Sequence, residues 1–124
     1  LVGNWLGTGA SGAKNTMIFT SDNFISMTVN GELIDGKNYI VKGGKNNGQK
    51  GLLKYEIDES KTPIALDIIA YALEKGKQIE KGRFLAILDF KSNDEIKINL
   101  SLNGVRATEF NESNAASTIL LKRN

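Results

Sequence analysis

The sequence predicts an all-β fold, a single antiparallel up-and-down β-barrel of about eight to nine strands that takes in residues 1–124 as one domain. Three observations predict it. Apolar and polar residues alternate with period two, most plainly where Leu53, Tyr55 and Ile57 interleave with Lys54, Glu56 and Asp58, the pattern of a strand with one face buried and the other solvated. Turn chemistry recurs at short intervals, as at Ser21-Asp22-Asn23 and Asn30-Gly31, so consecutive segments are short antiparallel neighbours. A row of such strands leaves two bare edges unless the sheet closes, which favours a barrel over the runner-up, a β-sandwich.

The elements follow in order. Leu1 to Thr8 contains Gly3-Asn4-Trp5-Leu6-Gly7, a short strand in which two glycines flank the sole tryptophan and mark a bend or a close backbone approach. After the small residues of Gly9 to Lys14, Thr16-Met17-Ile18-Phe19-Thr20 has the β-branched and aromatic character of a strand. Phe24 to Val29 is the next, ended by Asn30-Gly31, where both positions tolerate positive φ. Glu32 to Val41 is one strand bulged at Asp35-Gly36, or else two very short strands. Lys42 to Gly51 has four glycines, three lysines and no apolar residue, and is expected to be a flexible loop.

A strand through Tyr55 then leads to the polar turn that holds the only proline, Pro63. Ile64 to Lys75 has two readings. Thr62 as N-cap, Pro63 at the first helical position and Gly76 as terminator describe a helix. Ile64, Leu66 and Ile68 at period two describe a strand. Phe84 to Phe90 and Ser117 to Arg123 are apolar on both faces for most of their length, as in strands covered on both sides, and Ile96, Ile98, Leu100 and Leu102 alternate with polar neighbours. Between these last strands Asn103 to Ala116 is a long polar connection carrying Arg106 and Phe110.

Composition narrows function by exclusion. Sixteen basic against 14 acidic side chains leave a net charge of +2, too little to mark a nucleic-acid or anionic-membrane surface. No apolar run approaches the ~20 residues of a membrane-spanning helix. Cysteine and histidine are both absent, which removes zinc-type sites, thiol nucleophiles and histidine-dependent triads. No metal, no cofactor and no enzymatic activity are therefore expected. A first residue other than methionine points to a trimmed leader, with a signal peptide as one form it takes.

The candidate binding residues are Arg106, Tyr39, Tyr55, Tyr71 and Phe84. The aromatic side chains belong first to the core, with a pocket lining as their second role. Arg106 either holds a ligand carboxylate at a barrel mouth or ties the long connection to a backbone carbonyl or to Asp67. Asp58 and Asp67 flank the Pro63 turn; they are turn-fixing acids on one reading and a carboxylate pair on another. Gly43-Gly44-Lys45-Asn46-Asn47-Gly48 lacks the ending of a phosphate-binding loop and is assigned to the flexible connection.

With these residues in hand the chain resembles lipocalin-like bacterial domains of the secreted and envelope proteins. The markers are Leu1-x-Gly3-x-Trp5, Ile57-Asp58-x-Ser60-Lys61-x-Pro63-x-x-Leu66-Asp67, Gly76-Lys77, Asp94 to Leu100, Arg106-x-x-x-Phe110 and Leu120-Leu121-Lys122-Arg123. Ala107 stands where the family pattern has proline, and Lys42 to Gly51 is longer than the corresponding turn. The resemblance implies an antiparallel barrel and decides Ile64 to Lys75 in favour of strand. It implies that Trp5 and Arg123, from the first and last strands, pack as a cation-π pair where the barrel closes. It also implies a periplasmic, outer-membrane-anchored or secreted location. The expected function is that of a non-enzymatic barrel binding a small hydrophobic or amphipathic ligand in its interior. The alternative is an envelope protein-interaction or glycan-binding module with a filled core.

Overall fold

The computed structural model describes residues 1–8, 14–29, 31–40, 45, 47–101 and 104–123. They form one antiparallel sheet of ten strands: β1 (Gly3–Thr8), β2 (Lys14–Phe19), β3 (Ile25–Val29), β4 (Glu32–Ile34), β5 (Tyr39–Ile40), β6 (Lys50–Asp58), β7 (Ile64–Glu74), β8 (Lys77–Ser92), β9 (Glu95–Leu100) and β10 (Thr118–Arg123). The order is β4-β3-β2-β1-β10-β9-β8-β7-β6-β5, an up-and-down meander in which the first and last strands pair.

Ten strands stand where eight to nine were expected, because Glu32 to Val41 is broken in two. Gly36 causes the break. Its N–H donates to Ser26 Oγ at 3.0 Å and its carbonyl accepts the Leu53 N–H at 2.8 Å, so the chain passes between β3 and β6 instead of continuing a ladder. A Cβ at Gly36 would lie 2.0 Å from the Ile25 carbonyl oxygen, which is why only glycine fits. Beside it, the Tyr55 N–H donates to the Asn23 carbonyl at 3.0 Å and Phe24 bridges Lys54. These interactions draw β3 against β6 and nearly close the barrel.

Ile64–Glu74 is strand, with β6 on one side and β8 on the other. Gly76 ends no helix. Lys75 and Gly76, at φ 52° and 78°, form the tight two-residue turn that joins β7 to β8. Strand β8 is 16 residues long and begins seven residues before the predicted Phe84, since polar Lys77–Arg83 continues the hairpin beyond the end of β9. The glycine-rich 42–51 segment lies partly outside the described residues; its last two, Lys50 and Gly51, open β6.

The inner face is a core of side chains. Trp5, Phe19, Ile25, Tyr55, Ile68 and Leu88 are among those buried against one another, and Phe19 meets Tyr55 edge-on with ring centroids 5.0 Å apart. Burying this core, aliphatic apart from Trp5, Phe19 and Tyr55, contributes most of the drive to close such a sheet, at roughly 25 cal/mol per Å². Outside the barrel the connection from β9 to β10, which includes a 3₁₀ turn at Glu112–Ser117, is strapped over the sheet. Asn99, only 2% exposed, lies beneath it with Nδ2 within 3.1 Å of the Asn114 carbonyl, Ser117 Oγ and Thr118 Oγ1.

Candidate functional site

Three places concentrate functional side chains. The first is the joint between the two chain ends, where Trp5 pairs with Arg123 across β1 and β10. The guanidinium carbon sits 4.3 Å from the centre of the indole ring, and the indole N–H donates to the Leu1 carbonyl at 2.7 Å. Arg123 also donates to the carbonyls of Val2 and Asn93 at 2.8 and 3.1 Å. One arginine thereby joins the amino end, the β8–β9 turn and the last strand.

The second place is an outer groove of about 490 Å³ beside the strap, lined by Asp58, Lys61, Pro63, Asp67, Ile87 and Arg106 among others. Arg106 reaches it from the strap and donates to the Leu66 and Ala86 carbonyls at 3.3 and 2.8 Å and to the Asp67 carboxylate. Arg83, from β8, donates to the other Asp67 oxygen at 2.7 Å and to Glu80 at 2.9 Å. Burial pushes the Asp67 carboxyl up, but the hydrogen bonds from the two arginines outweigh it and hold the group below the usual carboxylate range. Hydrogen bonds from Ser60 lower Asp58 in the same way. The groove thus brings Asp58, Asp67 and Arg106 together, with both carboxylates kept ionised and already engaged. Arg83 gave no signal in the sequence, because its partner Asp67 lies 16 residues away on the neighbouring strand.

The third place is a cleft of about 550 Å³ between β4 and β5, the two ends of the sheet. Leu33, Ile34, Tyr39 and Ile40 give it apolar walls and Glu32, Asp35 and Asn38 give it polar groups. Leu33 and Ile40 are 53% and 54% exposed, while Tyr39 and Ile34 pack against the core. The Tyr39 ring lies on Gly51, where any Cβ would come within 2.5 Å of it.

The five candidate binding residues do not share one pocket among those described. Arg106 lines the outer groove and Tyr39 the cleft. Tyr55 is in the core, its hydroxyl donating to the Thr20 carbonyl at 2.8 Å. Tyr71 lies under the Lys54 ammonium at 5.6 Å, and Phe84 is 48% exposed where β8 runs past β9. Leu33, Ile34 and Ile40 were not among the candidates. Their signal was the Asp35-Gly36 break, since splitting the strand puts them in β4 and β5 at the two ends of the sheet, each strand paired on one side among the described residues.

Fold and sites together define an antiparallel, nearly closed all-β barrel, an architecture compatible with the lipocalin-like class. Comparison of the chain with family models, with curated proteins and with solved structures gave no match.

Proposed function

We propose that this protein is a non-enzymatic barrel that binds a small hydrophobic or amphipathic molecule in the cleft between β4 and β5. The observation that carries the reading is the cleft's combination of about 550 Å³, apolar walls and a few polar groups, the usual make-up of a small-molecule site. The side chains packed at the centre of the barrel favour the cleft over the interior as the ligand's place. A small molecule is a better occupant than a peptide strand. The bordering strands are three and two residues long, too short for main-chain pairing to hold an added strand. The lowered carboxyls of Asp58 and Asp67 support the non-enzymatic part, since a general acid at neutral pH needs a raised one.

Titration with a neutral twelve-carbon amphiphile, followed through the backbone amide shifts of residues 33–40, tests the proposal. Saturable shifts confined to that segment are expected, and Leu33→Ser with Ile40→Ser should weaken binding about tenfold or more, at roughly 25 cal/mol for each Å² of apolar surface that the ligand no longer covers. Shifts spread over core residues such as Ile68 and Leu88 would return the ligand to the interior.

A second reading rests on the strap. The groove on its other side is lined by Asn99, Ser101, Asn111, Ser113, Asn114 and Ser117 among others, amides and hydroxyls suited to a glycan. Envelope-glycan fragments that shift strap amides and leave 33–40 unmoved would favour it.

A further inference from the structure

Two asparagines of the chain have a serine two residues on, Asn99 in Asn99-Leu100-Ser101 and Asn111 in Asn111-Glu112-Ser113, and that spacing is the acceptor pattern for N-linked glycans. The fold treats them oppositely. Asn99 is 2% exposed, and its Nδ2, the atom that would have to react, is held beneath the strap by the Asn114 carbonyl, Ser117 Oγ and Thr118 Oγ1. Asn111, Glu112 and Ser113 are all exposed. They lie where the strap enters its 3₁₀ turn, and residues 104–111 belong to no strand, so the chain around Asn111 can lift into an enzyme without breaking a ladder. The Asn111 carboxamide is engaged chiefly through its oxygen, which accepts from Ser113 Oγ at 2.6 Å and from the Asn114 N–H at 3.2 Å. Its Nδ2 makes one long bond among the described residues, to Glu109 Oε1 at 3.4 Å. Glu109 also stands two residues before the asparagine and completes the longer acceptor form that bacterial oligosaccharyltransferases read, acid-x-Asn-x-Ser, whereas Asn99 has Lys97 at that place.

We propose that Asn111 is an N-glycosylation site of the exported chain, with a polyprenyl-diphosphate-linked oligosaccharide as donor; this does not depend on the cleft between β4 and β5. In the transfer the Asn111 Nδ2 forms a bond to C1 of the first sugar, the bond from C1 to the diphosphate oxygen breaks, and the polyprenyl diphosphate leaves with the electron pair. One Nδ2 proton is released, and nothing is oxidised or reduced. The glycan would project into solvent from the strap, so the buried core is left as it is.

Incubation of the folded protein with a bacterial oligosaccharyltransferase and a polyprenyl-diphosphate-linked oligosaccharide of known mass, read by intact mass and peptide mapping, tests the proposal. One glycan per chain is expected, on Asn111 and not on Asn99. Ser113→Ala, which removes the hydroxyl, and Glu109→Gln, which removes the acid, should each abolish transfer. Ser113→Thr, which keeps the hydroxyl, should retain it at an unchanged thermal midpoint. Should either of the first two variants fail to fold, a peptide spanning 107–117 with the same change decides, because an acceptor lost with its motif stays lost in a chain that has no fold to shield it. An unmodified folded wild type would overturn the proposal, even if the denatured chain accepts the glycan at Asn111, since the strap would then be closed to the enzyme. Transfer to Asn99, or undiminished transfer in Ser113→Ala, would overturn it as well.

Discussion

Gly36 and Gly82 have the same side chain and opposite circumstances. A methyl group on Gly36 would meet the Ile25 carbonyl oxygen at 2.0 Å and the Leu53 carbonyl oxygen at 2.8 Å, both backbone atoms that cannot turn aside. A methyl on Gly82 would meet nothing within 4 Å, at a φ open to any residue. Gly36→Ala should therefore cost about 3 kcal/mol or more by urea denaturation, in the range of overpacked cores and above, while Gly82→Ala should be neutral or stabilising by a few tenths. Equal midpoints for the two variants would show that β3 and β6 do not meet through Gly36. Gln49 supplies the converse case. Its Oε1 is buried with no hydrogen-bond partner among the described residues, so Gln49→Met, of similar shape and free of that desolvation cost, should raise stability by about 1 kcal/mol.

At the scale of elements, the strap depends on Arg106. Replacing it with methionine keeps much of the bulk but removes every donor it offers to Leu66, Ala86 and Asp67. A loss of about 2 kcal/mol is expected, with faster hydrogen exchange confined to 104–117. Its partner sets a pH dependence. Asp67 has a folded-state carboxyl below its unfolded value, so its contribution is complete above the unfolded value of about 4 and is lost as pH falls through the lower folded one. Urea midpoints at pH 6, 4 and 3 should drop less steeply for Asp67→Asn than for the wild type. What the sequence revealed follows the same division. Strand β6 was legible because Glu56 and Asp58 face solvent, and β9 because the face beneath the strap carries polar Lys97 and Asn99, so alternation shows in both. Strand β7 was ambiguous because Thr62-Pro63 and Gly76 sit where helix caps would, although Lys75-Gly76 serves as a hairpin turn. The first half of β8 was illegible because Lys77–Arg83 forms a hairpin beyond the core and needs no apolar face. The Arg106–Asp67 pair joins residues 39 apart; the sequence offered Asp67 or a backbone carbonyl as the tie for this arginine, and the fold supplies both, the carbonyls being those of Leu66 on β7 and Ala86 on β8.

Over the whole molecule, the pairing of β1 with β10 makes the inside of the barrel depend on both chain ends. Trp5 is 0% exposed, with Arg123 stacked on its ring and Leu121 in the same core, both from the other end of the chain. Local structure cannot bury it, and pairings of such long sequence separation form late and are entropically costly to close. The sole tryptophan is consequently a reporter of closure. If closure and the remaining strands form one cooperative unit, Trp5 fluorescence and far-ultraviolet circular dichroism should trace a single urea transition with the same midpoint. Deleting residues 118–124 tests the same dependence directly, because it strips β1 and β9 of their shared neighbour and removes Leu121 from the core. The truncated chain should show exposed Trp5 emission without denaturant and no cooperative transition. If it instead keeps a transition near the wild-type midpoint, the nine remaining strands hold together as an open sheet, and the seam at Gly36 rather than the joined ends carries the fold.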